Sequence, residues 1–203
     1  MANAPFTYRP RSGPAAAVGA WVIAGLAAAS LVTDQSAQSL RWAPALAWFA
    51  LSAWAVFWAP SVAVGEAGLN VRNVAASHYV PWAAISRIDT KWALTLHTGQ
   101  GKVTAFAAPA PSSLQPLRRA GARDIGHLPE STFDAGGSVR PGDLPGTASG
   151  DLAWVVRERW QEVRDAGPTG PASGQRPTRR WHIRLLAAWA LLGCLTALAL
   201  AVG

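Results

Sequence analysis

The chain has 203 residues, half of them hydrophobic, with eighteen Lys/Arg against eleven Asp/Glu and a formal charge of +7. One cysteine, Cys194, excludes an intramolecular disulfide and a cysteine-based metal site. A basic balance alone does not make a nucleic-acid binder, and no helix-turn-helix, zinc or RNA-binding signature accompanies it, so nucleic acid is not expected as a partner.

Residues 1–14 read as a cytoplasmic tail. Ala15 to Thr33 then runs nineteen residues without a charge, close to the roughly 20 that cross a hydrocarbon core. Arg9 and Arg11 ahead of it also fit a secretory leader, but a second apolar stretch, Trp42 to Ala59, follows after only eight residues. The pair predicts a helical hairpin over 15–59, with Pro44 tolerated in the first turn of its second arm and Pro60 ending it. Several of the eleven tryptophans sit where membrane interfaces would fall (Trp42, Trp58, Trp181), and others lie inside the spans (Trp21, Trp48, Trp54, Trp189). The buried indole N–H groups need acceptors, which points to helix contacts within one protomer or between copies in a homo-oligomer.

From Ser61 to Ala108 the hydrophobic period changes to two. Val62 and Val64, then Leu69 and Val71 across the Gly65-Glu66-Ala67-Gly68 turn, predict a hairpin. His78 to Trp82, Ala84 to Thr90, the Trp92-Leu94-Leu96 face, and Lys102 to Phe106 after Gly99-Gln100-Gly101 bring the number to six short strands. That spacing suggests a meander closing into a barrel. Residues 109–148 form a Pro/Gly/Ser-rich insert without periodicity. A helix is expected over 149–166, with Ser149 as N-cap, Asp151 in the first turn and Gly167-Pro168 as the stop. Leu152, Val155, Val156, Trp160 and Val163 share one stripe, while Arg157, Glu158, Glu162 and Arg164 fill the rest.

A basic linker, 167–184, leads to a third apolar segment, 185–202, in which Cys194 is a small apolar filler. Arg176, Arg179, Arg180 and Arg184 crowd its approach, whereas Arg41 alone falls in the loop between the first two segments. This asymmetry places the N-terminus and the polar middle in the cytoplasm and the C-terminus outside a plasma membrane crossed three times. The four arginines thus serve as a topology signal or as contacts to anionic membrane lipid.

Four runs carry a resemblance: Gly68-Leu69-Asn70-Val71-Arg72-Asn73, Val80-Pro81-Trp82-Ala83-Ala84-Ile85, Trp92-Ala93-Leu94-Thr95-Leu96 and Val103-Thr104-Ala105-Phe106. Over Ser61 to Ala108 the chain resembles the PH-like domains found in actinobacterial membrane proteins. The resemblance implies a small β-barrel closed by a C-terminal helix, with Leu152, Val156, Trp160 and Val163 as the plug. Six strands are read here where a full PH barrel has seven. The expected fold class is therefore an α+β membrane protein: three transmembrane helices plus a PH-like barrel capped by an amphipathic helix.

Candidate catalytic groups are His78, His97, His127, His182, Glu66, Asp89, Asp151 and a few serines; none lies in a nucleophile elbow, a metal-ligand spacing or a phosphate-binding loop. His97 falls on the face opposite Trp92, Leu94 and Leu96 and reads as a solvated strand residue. No enzyme activity and no cofactor are expected. Eukaryotic PH domains bind phosphoinositides through basic residues near the first hairpin; of Arg72, Arg87, Lys91 and Lys102, only Arg72 is near that position. A domain tethered by its own helices gains little from lipid recruitment, so the expected task is binding protein within a membrane-associated assembly. The alternatives are a module sensing anionic lipid and a non-catalytic subunit of a membrane enzyme.

Overall fold

The computed structural model describes residues 6–10, 12–34, 36–109, 148–165, 167 and 176–202. The expected insert therefore lies, apart from Pro109 and Ala148, outside the described residues, as does His127. The chain divides into two compact units. One comprises Met1–Pro10, Ser61–Asn73 and Ser77–Arg180; the other comprises Arg11–Pro60, Val74–Ala76 and Trp181–Gly203.

The first unit is built on β2 (Ser61–Val64), β3 (Gly68–Arg72) and β4 (Ala76–Pro81), paired antiparallel in sequence. The β2–β3 hairpin closes where the Gly65 N–H donates to the Gly68 carbonyl at 2.9 Å. Gly68 is required by close approach: a Cβ there would collide with the Val80 carbonyl and lie 2.8 Å from Pro81 Cα. Pro81 has no N–H to extend the ladder, and the chain leaves the sheet through a single 3-10 turn, Trp82–Ala84. Trp82, 1% exposed, fixes this exit by donating its indole N–H to the Gly65 carbonyl at 3.1 Å.

After that turn β5 (Ile85–Asp89), β6 (Ala93–Thr98) and β7 (Gly101–Pro109) form a separate three-stranded antiparallel sheet. The strands therefore make two sheets, not the closed barrel that the meander suggested. The break has a local cause: Pro81 and the 3-10 turn redirect the backbone before a ladder between β4 and β5 can form.

Two further strands come from segments read as tail and linker. β1 (Phe6–Tyr8) pairs with β2, and β8 (Thr178–Trp181) lies beside β4, giving a five-stranded sheet ordered β1-β2-β3-β4-β8. β1 is only three residues long, and Thr178-Arg179-Arg180-Trp181 carries no apolar–polar alternation. The core joins the inner faces of both sheets, among them Val62, Leu69, Val71, Val80, Leu94, Leu96 and Ala105, with one side of a helix, α4 (Ala148–Asp165).

The second unit is helical. α1 (Ser12–Asp34) begins three residues before the expected span, and α2 (Ala37–Leu40) is a single turn in which Ser36 Oγ accepts from the Ser39 N–H. The second apolar segment is not one α-helix: α3 (Ala43–Ala53) runs into a π-helical turn, Trp54–Trp58, with the Ala59 N–H donating to the Trp54 carbonyl. α5 (Ile183–Val202) is the third. α1 and α5 are long and apolar enough to cross a membrane; Ala43–Trp58 is shorter.

Tryptophans join these helices. The Trp21 indole donates to the Ala50 carbonyl at 3.1 Å and its ring stands 5.6 Å from that of Trp58. Trp189 donates to Ser52 Oγ at 2.8 Å and lies 5.0 Å from Trp48. Among the described residues the buried indole nitrogen of Trp48 has no hydrogen-bond partner; it lies beside Gly193.

Candidate interaction surface

α4 covers the core. Leu152, Ala153 and Val156 are buried, Trp160 and Val163 pack against the core while partly exposed, and Trp154 on the other side is 56% exposed. Ala153 escapes the sequence stripe because a small residue carries little hydrophobic weight. Ser149, expected as the N-cap, stands within the helix, fully buried, and its hydroxyl has no partner among the described residues. Gly167 adopts φ +80° just past the helix and donates its N–H to the Arg164 carbonyl, the left-handed ending that glycine allows. The Arg164 guanidinium lies 4.9 Å from the Trp160 ring centre.

The outer face of the three-stranded sheet is polar and basic. Arg87, His97 and Lys102 stand directly opposite one another on three adjacent strands. Arg87 Nη2 lies 3.3 Å from His97 Nε2 and 3.7 Å from Asp89 Oδ2. His97 thus faces outward, opposite Leu94 and Leu96. The next row joins Thr95 and Thr104 through their hydroxyls at 3.1 Å. Further along, Phe106 and Trp92 are exposed, Trp92 at 79%, and the Lys91 ammonium lies 5.8 Å from the Trp92 ring centre.

In the five-stranded sheet, Asn70 pairs with Tyr79 and Arg72 with Ser77, while Val71 and His78 face the other side. His78 is held below the usual histidine range, first by burial and then by the Arg179 guanidinium. Arg179 and Arg180 belong to β8, the strand at the sheet edge, and Arg176 precedes it; all three are exposed. Arg184 is exposed in the first turn of α5. His182 precedes that helix, its backbone N–H donating to the Ala75 carbonyl at 2.9 Å and its Nδ1 3.1 Å from the Val74 carbonyl.

Of the candidate catalytic groups, Glu66 lies in the β2–β3 turn, and Asp89 Oδ1 accepts from the Lys91 N–H in the next turn. Among the described residues no three His, Cys, Asp or Glu side chains gather in a metal-binding cluster.

Compared with known proteins, residues 59–142 match the model of a family described as a bacterial PH domain. The match takes in β2 to β7 and agrees with the resemblance carried by the Gly68, Val80, Trp92 and Val103 runs; α4 lies beyond it. No curated protein and no solved structure matches the chain significantly. The chain carries a PH-like domain of bacterial type, an architecture suited to binding protein or lipid, with two apolar helices that suggest membrane association.

Proposed function

We propose that the protein is a non-enzymatic, membrane-integral interaction module whose PH-like domain binds another protein on the cytoplasmic side. The supporting observation is the pairing of two kinds of surface. α1 and α5 expose large apolar side chains, with Ile23 at 63% and Leu191 at 60%, a pattern suited to lipid. The PH-like unit in turn exposes the aromatic side chains of Trp92, Phe106 and Trp154, the type enriched in protein interfaces. α3 with its π turn completes three crossings in this reading, since tilting and local thinning accommodate a short span. The barrel of the PH-like family is represented by two sheets, with Leu152, Val156, Trp160 and Val163 of α4 as the plug.

A second reading, a sensor of anionic lipid, draws on the Arg87–His97–Lys102 row, where directly opposed basic groups favour an anion. The two readings separate when photo-crosslinking residues replace Trp92, Phe106 and Trp154 singly in the full chain in its native membrane. Reproducible protein adducts support the first reading, and adducts to lipid alone overturn it in favour of the second. Reporters fused after Gly203 and inserted near Asp143 are expected on opposite sides of the membrane; both on one side would refute three spans.

A further inference from the structure

The edge strand β8 offers a more specific site. In the order β1-β2-β3-β4-β8 it pairs with β4 on one side, and no other described strand lies on its far side. All four of its residues are exposed. An open edge of this kind is a template for a further strand, because its outward N–H and C=O groups point away from the sheet. Its charge is one-sided. Arg176, Arg179 and Arg180 fall within five residues, and no Asp or Glu occurs anywhere from Ala166 to Gly203. Arg176 and Arg180 make no ion pair among the described residues.

Such arginines ordinarily protect an edge, since an apolar strand that pairs there must bury or displace guanidinium groups. The same groups admit a strand that brings carboxylates, because an arginine–carboxylate contact is charge-assisted and can be bidentate. His78 on the adjoining strand is held below the usual histidine range first by burial and then by Arg179, in keeping with a positive edge. We infer that β8 is a docking edge for an extended acidic segment of a partner protein, which adds as a sixth strand and sets its carboxylates against Arg176 and Arg180, two arginines an even number of residues apart. This rests on the protein-binding reading above and names the partner's chemistry: backbone pairing supplies affinity, and the arginines supply selection.

The test uses the full chain in nanodiscs of zwitterionic lipid and, as probe, a synthetic peptide alternating glutamate and valine. Three controls accompany it: a lysine–valine peptide, a glutamate–valine peptide methylated on alternate backbone nitrogens, and the variants Arg176→Gln and Arg180→Gln. Binding is expected for the acidic peptide and not for the basic one. Backbone methylation removes the ladder while keeping the charge, and is expected to weaken binding about tenfold or more; each variant is expected to weaken it about fivefold to tenfold. Equal binding of the methylated peptide would reduce the effect to charge attraction and overturn the proposal. So would unchanged affinity in both variants, or no peptide binding at all, which leaves lipid headgroups as the counterpart of these arginines. Protein adducts at Trp92 or Phe106 without peptide binding at β8 would sink this proposal alone, whereas lipid-only adducts there would sink the reading on which it rests.

Discussion

The Asn73 side chain is bound at both ends to the backbone flanking Ala105: its Oδ1 accepts the Phe106 N–H at 2.9 Å and its Nδ2 donates to the Thr104 carbonyl at 2.8 Å. The amide reproduces the two-point pairing of a strand residue, just past β3 and along the edge of β7, where no ladder among the described residues joins the sheets. One side chain thus does locally what the wall of a closed barrel would do with a row of backbone bonds.

Replacing Asn73 by alanine removes both bonds and leaves a donor and an acceptor of β7 to water, a loss of about 1–2 kcal/mol. In Asn73→Asp the repulsion between the carboxylate and the Thr104 carbonyl turns the side chain away from β7, so the acceptor for Phe106 is lost as well and the variant is expected to rescue nothing. Hydrogen exchange of the Phe106 amide, read beside thermal unfolding, checks this: faster exchange at Phe106 in both variants is the expected result.

The helix α4 supplies a contrast within one element. Leu152 is 1% exposed, and its truncation to alanine opens a core cavity at a cost of about 2–5 kcal/mol. Trp154, 56% exposed, should tolerate alanine within about 0.5 kcal/mol. Chemical denaturation of the full chain in detergent gives both values, and equal destabilisation would remove α4 from its place over the core.

Acid is expected to weaken the PH-like unit through His78. Burial and Arg179 hold its protonation below the ordinary histidine value of 6.5, so the unfolded chain takes up the proton at higher pH than the fold does. The resulting stability is complete above 6.5 and is lost as pH falls through the folded value. Melting curves from pH 7.5 downward should show a drop that His78→Gln makes shallower. An unchanged slope in that variant would show that other groups carry the pH dependence.

These four residues also mark how far the sequence could be read. Helical period sets Leu152 and Trp154 on different sides of one helix, and alternation about Gly65 and Gly68 sets β2 beside β3; the structure buries Leu152, exposes Trp154 and pairs the two strands. Pro81 marked the break between strands, but not that the next strand opens a second sheet, because that depends on the 3-10 turn held by Trp82 and the Gly65 carbonyl. The clamp of Asn73 spans more than thirty positions and leaves no periodic trace. β1 lacks the length to show one and Thr178-Arg179-Arg180-Trp181 lacks alternation, so β8 reads only as a run of arginines. The apolar helices were legible from composition alone. The π turn at Trp54–Trp58 was not, since a change from i+4 to i+5 bonding alters no residue type.

Gly193 and Trp48 give the last prediction. A Cβ on Gly193 would stand 3.5 Å from Trp48 Nε1, an ordinary contact, so Gly193→Ala should pack with little change. Leucine adds three further carbons toward an indole already in tilted contact with Trp189, and in an apolar environment helices gain their association from such close packing. Gly193→Leu is therefore expected to separate α5 from α3 and to break the bond from Trp189 to Ser52 Oγ. The bond itself is worth little: hydrogen bonds between membrane helices average about 0.6 kcal/mol, so Ser52→Ala should act far more weakly than Gly193→Leu. A disulfide reporter pair between α3 and α5 can read the difference in native membranes, with Cys194 first changed to serine. Crosslinking should persist in Gly193→Ala and Ser52→Ala and be lost in Gly193→Leu. Loss in Ser52→Ala with retention in Gly193→Leu would show that polar bonding, not packing at Gly193, holds these helices together.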